Sequence, residues 1–304
     1  MDLLHTLSDF AHRHLSNDKV NRLRLFYLSL RNSFRPIITR IYGTYTAEDL
    51  RIHLQNTIGS DFDILMVHGS VNHMLPMYTG TALELVNMLI NYCGPDKTLA
   101  MPAFYFGDPK TGSIQQTFKE DPIYNLKRTP SQMGMMTELF RRTKGVIQSR
   151  HPVYRVAAIG PLAKKLTAGH EHATGPAGFG SPFEHMATHN TLVIGIGKSF
   201  HVMTQVHHVD EIMGEDFPVP RTPKSQRPQT AVTVVDGDEK IPMILEDNGI
   251  KWQFNIAKLP KLLQPGDLKY WKFHHTPLFA ARAKNVTESL VKAAKQGKTL
   301  YDPL

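Results

Sequence analysis

Apolar and polar positions along the chain follow two rhythms. TAEDLRIHLQNTIG (46–59) spaces Leu50, Ile52 and Leu54 as a helix does and opens on Thr46, a candidate N-cap. TALELVNMLINYCG (81–94) reads as a helix ending at Gly94, and MGMMTELFRRTKG (133–145) as one whose basic end lies C-terminal, as the helix dipole favours. Between them stand apolar runs of strand length: DILMVHGS (63–70), breaking at Gly69; TLAMPAF (98–104), stopping near Pro102; VYRVAAIG (153–160) and TLVIGIG (191–197). TAVTVVDGDEKIPMIL (230–245) alternates around Asp236-Gly237, a hairpin signal. TESLVKAAKQGKTLYDPL (287–304) predicts a terminal helix and tail. Residues 107–134 are polar and rich in Pro and Gly, which predicts a long surface loop; residues 214–229, with four prolines, predict another. Strands alternating with helices point to the α/β class, as one large domain or two ordinary ones.

Residues 1–45 differ. Val20, Leu23, Tyr27, Leu30 and Phe34 form a helical stripe, and seven Arg or Lys residues stand against three Asp, half of the chain's net charge. This basic amphipathic segment suits docking on its own domain or a second subunit, or contact with an anionic membrane surface.

Composition narrows the picture. Of 304 residues 41% are hydrophobic, enough for a sizeable core. A single cysteine, Cys93, excludes an intrachain disulfide framework and reads as a small buried hydrophobe. No apolar run reaches membrane-spanning length, and the opening MDLLHTLSDF lacks the pattern of a signal peptide, so a cytoplasmic location is expected. The net charge of +8 and pI near 9.4 suit a basic solvated surface or an anionic ligand such as CoA. Without RNP aromatics, zinc-finger spacing or a long Lys/Arg run, no nucleic-acid partner is expected.

Candidate chemistry concentrates in TQVHHVDE (204–211). If it is helical, Thr204, His207 and either Asp210 or Glu211 share a face. A carboxylate one turn from an imidazole orients the ring and stabilises its protonated form, which makes a general base. A polar helix start explains the same spacing. So does a zinc site, with His185 and His189 four apart and His207, His208 and Asp210 completing a shell, although H-E-x-x-H is absent. HGSV (68–71) lacks both glycines of a nucleophile elbow, and GIGKS (195–199) lacks the first glycine of a phosphate loop. A metal-dependent hydrolase and an inactive scaffold therefore stand as rival readings.

Several segments in order carry a resemblance: VHGSV (67–71), TGTALELVNMLINYCGPDKTLAMPAF (79–104), TPSQMGMMTELFRR (129–142), SRHPVYRVAAIGPLA (149–163), GSPFEHM (180–186), LVIGIG (192–197), TQVHHVDE, and a closing Asp302-Pro303-Leu304. Over residues 46–304 the chain resembles the aminoglycoside 3-N-acetyltransferase family. The resemblance implies a three-layer α/β/α sandwich around a mixed sheet, distinct from the common GNAT acetyltransferase fold. It implies direct acetyl transfer from acetyl-CoA, as co-substrate, to the amine of an aminoglycoside or other amino sugar. The family's T-x-x-H-x-x-E falls on Thr204, His207 as base, and Asp210, one methylene shorter than Glu and followed by Glu211. Its H-S-S-L reads HGSV here, so Ser70 and Val71 are expected at the pantetheine and thioester, with backbone N–H groups near Gly69–Val71 stabilising the oxyanion. Ser149 and His151, in its S-x-H-P, are expected to border CoA; no resident metal is expected. Lys97 stands where the family has Gly. The division implied is a basic helical extension, 1–45, and a CoA-dependent N-acyltransferase domain, 46–304.

Overall fold

The computed structural model describes residues 33–304 and, ahead of them, Arg22, Phe26 and Ser29. Val20, Leu23, Tyr27 and Leu30 of the N-terminal stripe lie outside the described residues.

Among the described residues twelve strands occur in chain order: β1 (Ile64–Gly69), β2 (Thr98–Pro102), β3 (Ile123–Asn125), β4 (Ile147–Gln148), β5 (Val156–Ile159), β6 (Thr191–Ile196), β7 (Gln229–Asp236), β8 (Glu239–Glu246), β9 (Gln253–Phe254), β10 (Leu268–Phe273), β11 (Thr276–Arg282) and β12 (Tyr301–Asp302). Seven form the central sheet, in the order β10-β11-β6-β1-β2-β5-β4. β1 runs parallel to both β2 and β6, while β11 and β5 join antiparallel on either side, so the sheet is mixed. The four strands read as apolar runs are all in it. Buried on both faces, they need no alternation of polar residues.

The period of two sorts their side chains into two cores. Leu65 and Val67 face the helices Ala47–Ile58, Ala82–Cys93 and Met135–Arg141, through Leu50, Leu54, Leu89 and Phe140. Ile64 and Met66 face Pro182–Thr188 and Ala283–Ala294, through Phe183, Met186, Val286 and Leu290. Helices on both faces of a mixed sheet make the expected three layers. Thr46 caps its helix in a full capping box, and Thr81 does the same for the next.

Three stretches depart from the sequence-based expectation. Residues 107–134 are not one loop: they carry a helix, Ile114–Glu120, and β3, which pairs parallel with β7. With the β7–β8 hairpin they build a second, three-stranded sheet over Phe118, Tyr124, Leu126, Val232 and Val234. The hairpin loop is Gly237-Asp238, one residue past the expected turn, with Gly237 at φ 63°. The tail forms β12, antiparallel to β9.

Arg155 ties the small sheet to the large one. Fully buried, it donates to the backbone carbonyls of Ala103, Leu126 and Thr129 at 3.1, 2.6 and 3.1 Å. Near the N-terminus, helix Arg35–Tyr42 leaves Ile37 and Ile41 exposed. Ile38 of that helix packs against the core, and Tyr45 is buried and shares a 2.7 Å hydrogen bond with Thr276, so the chain joins the core before residue 46. No described helix is long and apolar enough to cross a membrane.

Candidate active site

The parallel strands β1, β2 and β6 all end on one side of the sheet, and a cleft of about 310 Å³ opens there. Crevices outside the carboxyl ends of such strands are where α/β sheets hold ligands. It is lined at the end of β1 by His68 and Gly69, at and past the end of β2 by Pro102 and Phe104, and past β6 by Lys198 and the 201–204 segment. Tyr154 and Phe254 complete its inner wall beside His207.

Thr204–Val206 is a turn of 3-10 helix, and the α-helix proper is His207–Met213. Residues three apart still share a face. His207 Nδ1 stands 3.4 Å from Asp210 Oδ2, and its ring packs on Phe254 with centroids 4.7 Å apart. His207 is 26% exposed at the cleft whereas Asp210 is sealed in at 4%. The 3.4 Å contact is longer than an ordinary hydrogen bond, as in many ligand-free sites that tighten when substrate binds. The same oxygen accepts a 2.7 Å bond from the Tyr301 hydroxyl. Arg221 donates to the Asp210 carbonyl at 2.5 Å. Strand β12 thus delivers Tyr301 to Asp210, and its partner β9 delivers Phe254 to His207.

The neighbours in the motif point elsewhere. His208 is buried and donates through Nδ1 to the Ala177 carbonyl at 2.6 Å; burial lowers its pKa. Glu211 turns to the same loop, accepting from the Ala177 N–H at 2.9 Å. A Cβ on Gly175 would stand 2.2 Å from its carboxylate oxygen, so only glycine lets the loop close over it. Burial first, and the nearby Asp210 charge second, push its pKa up to about 8.

Thr204 lines the cleft one turn before His207; its hydroxyl makes only a 3.4 Å contact to the Val202 carbonyl. Ser70 and Val71 lie just past Gly69, outside the cleft lining. The Ser70 N–H already donates to the Ile196 carbonyl at 2.9 Å and is thereby removed from the expected oxyanion donors. Gly69, where the family pattern has Ser, leaves space that the Met136 methyl group fills: a Cβ there would come within 1.9 Å of it.

Ser149 and His151 do not border the cleft. Both are buried, with no surface for a ligand. Ser149 Oγ bonds His170 Nδ1 at 2.8 Å and accepts from the Val156 N–H. His151 Nδ1 accepts from the N–H groups of Val153 and Tyr154 at 3.1 and 3.0 Å, and its ring stacks on His170. These contacts form the turn that aims Tyr154 into the cleft. Burial drives His151 well below the ordinary imidazole range and takes His170 down to about 4.

The pair His185 and His189 is not gathered with His207. His189 Nδ1 bonds the His185 carbonyl and its Nε2 contacts Lys165. Among the described residues no three His, Cys, Asp or Glu side chains converge as a metal shell.

Comparison with known proteins fits this architecture. Residues 66–294 match the family described as aminoglycoside 3-N-acetyltransferase. The aminoglycoside N(3)-acetyltransferase IX of Micromonospora chalcea is 26% identical over 181 residues, 56% of this chain and 63% of its own length. A Salmonella aminoglycoside N(3)-acetyltransferase III is 28% identical over 49% of this chain and 54% of its own. The chain therefore spans between half and two thirds of the length of these relatives. Among solved structures, aminoglycoside acetyltransferase AAC(3)-Xa superposes with a TM-score of 0.68 at 18% identity, covering 88% of this chain and 99% of that one. AAC-IIIb, solved as a binary complex with CoASH, gives 0.67 at 19% identity, covering 86% and 100%. At such identities the likeness establishes the fold.

Proposed function

The chain belongs to the aminoglycoside 3-N-acetyltransferase family, and from that membership we propose that it moves an acetyl group from acetyl-CoA to the amine of an aminoglycoside or another amino sugar. The observation that carries the reading is His207, set in the wall of the strand-end cleft with Asp210 behind it. Its Nδ1 faces the carboxylate, which leaves Nε2 as the basic nitrogen at the cleft. That nitrogen takes the proton from the acceptor amine as the amine attacks the thioester carbon. The C–N bond forms, the C–S bond breaks, and the CoA thiolate recovers a proton from the imidazolium.

Asp210 holds the ring and stabilises its charged form, and Tyr301 in turn fixes Asp210. The Thr204 hydroxyl, in the cleft wall, is placed to donate to the developing oxyanion. Gly69 lines the cleft at the end of β1, with Ser70 and Val71 beyond it at the side where a thioester would lie; a family relative solved with CoASH supports a CoA donor. Ser149 and His151 serve by presenting Tyr154. Residues 1–45 act outside the chemistry, in association or contact with a membrane face.

The test is release of free thiol from acetyl-CoA with a panel of amines, alongside melting with and without acetyl-CoA. A ligand that binds only the folded state raises the melting temperature by mass action. No thermal shift at millimolar acetyl-CoA, together with no thiol release from any amine, would sink the reading.

A further inference from the structure

We propose that helix Arg35–Tyr42, with the basic segment ahead of it, is a docking face for an anionic lipid bilayer; this deepens, and rests on, the reading of residues 1–45 as lying outside the chemistry. Phe34, Ile37 and Ile41 are each more than half exposed. At about 100° per residue they fall within about 60° of the helix circumference, and Arg40 flanks them roughly 60° beyond Ile37. Ahead of them Phe26, helical like Arg22 and Ser29, is more than half exposed as well. In the sequence the 3-and-4 spacing of the stripe at 20–34 runs on through Ile37 and Ile41.

The helix is held with this face outward. On its other side Ile38 packs against the core, Tyr42 stacks on His275 with ring centroids 4.2 Å apart, and His274 Nδ1 donates to the Tyr42 carbonyl at 2.6 Å. His274 and His275 form the two-residue turn between β10 and β11, with φ 44° and 67°. A side chain with a Cβ adopts that left-handed conformation at a cost, and keeps it where its surroundings fix it. The grip on the helix supplies that fixing. The turn stands at the end of the sheet where the cleft opens: the Pro277 carbonyl, near the start of β11, accepts from the Gly197 N–H just past β6.

Charge identifies what covers this face. Between residues 19 and 47 the charged side chains are Lys19, Arg22, Arg24, Arg31, Arg35 and Arg40, with no Asp or Glu among them. The first carboxylates beyond are engaged, Glu48 with Arg51 and Asp49 in the cap of Thr46. Two copies meeting through this face would set cation against cation, which opposes association. The exposure of Phe26, Phe34, Ile37 and Ile41 argues equally against their docking on this domain. An anionic bilayer satisfies both halves of the pattern. Apolar side chains enter the boundary between headgroups and acyl chains, and the cations stay with the phosphates.

The experiment is co-sedimentation of the full chain with vesicles of phosphatidylcholine alone and of phosphatidylcholine mixed with phosphatidylserine. Binding should need phosphatidylserine and weaken as salt is raised. Ile37→Ser with Ile41→Ser keeps every charge and should weaken binding by about tenfold or more. Arg40→Gln should weaken it by about fivefold. Melting and thiol release from acetyl-CoA without vesicles should stay at wild-type values in both variants. Three results overturn the proposal: no preference for phosphatidylserine; equal binding by the double Ile variant, which would mean attraction by net charge alone; or self-association that the double variant abolishes, without vesicle binding. Loss of thiol release in the double variant with melting unchanged would instead bring down the reading that sets this segment outside the chemistry, and the proposal with it.

Discussion

At the scale of single residues, four of the five positions from 207 to 211 do four different things. His207 faces the cleft, His208 faces a backbone carbonyl, Asp210 faces His207, and Glu211 faces a glycine loop. Substitutions should separate them. His207→Ala is expected to lower kcat by about a hundredfold or more, the usual scale for losing a general base. His208→Ala should leave turnover far less affected and show its damage in melting, because it strands the buried Ala177 carbonyl. If His208→Ala proves the inactive variant and His207→Ala works normally, the base has been assigned to the wrong imidazole. Tyr301→Phe removes a donor from Asp210 and keeps the ring's packing. It should reduce kcat by roughly three- to tenfold, the worth of about one net hydrogen bond, with KM for acetyl-CoA little changed. An equal rise in that KM instead would mean that Tyr301 supports the donor site and not the base. Tyr301 was invisible in the sequence: in KTLYDPL nothing local marks it as the partner of a residue 91 positions away.

At the scale of elements, what could be read from the sequence was what is settled locally. The capping box at Thr46 closes over four residues, and the buried strands announce themselves by unbroken apolar runs. The Ile114–Glu120 helix and β3 were missed because neither has a core of its own. Phe118 and Tyr124 share a small cluster with Tyr105 and Leu126 that closes only against Val232 and Val234, more than a hundred positions later. Ser149 and His151 show a related limit: a motif shows that side chains matter but not which way they face, and both turn into the fold and away from the cleft. Arg155 is the joint between the two sheets, and it is charged where no carboxylate bonds it. Arg155→Met should destabilise the fold by about 3 kcal/mol or more, since three buried carbonyls lose their donor at once. Amide exchange should rise first in β3 and in 126–129. Unchanged protection there would show that the small sheet is held by its apolar core alone.

At the scale of the whole molecule, buried ionisable groups set opposing pH dependences. His68 and His170 are depressed in the folded state, so the stability linked to them is fully present above about 6.5 and is lost as pH falls toward 3 to 4. Glu211 is raised, so its contribution is fully present below 4.5 and is lost as pH rises toward 8. Each proton is worth about 1.4 kcal/mol per pH unit across its window. The melting temperature should therefore peak near pH 6.5. Glu211→Gln should gain on the wild type steadily between pH 5 and 8; a difference that stays constant across that range would mean Glu211 titrates normally. The pairing of β12 with β9 has one more consequence, which concerns time. His207, Phe254 and Tyr301 meet only after segments nearly a hundred residues apart have found each other, and contacts so distant along a chain form late. In a refolding experiment, circular dichroism should recover before thiol release does. The interval between the two signals would measure how long the molecule exists as an assembled sheet without a working base.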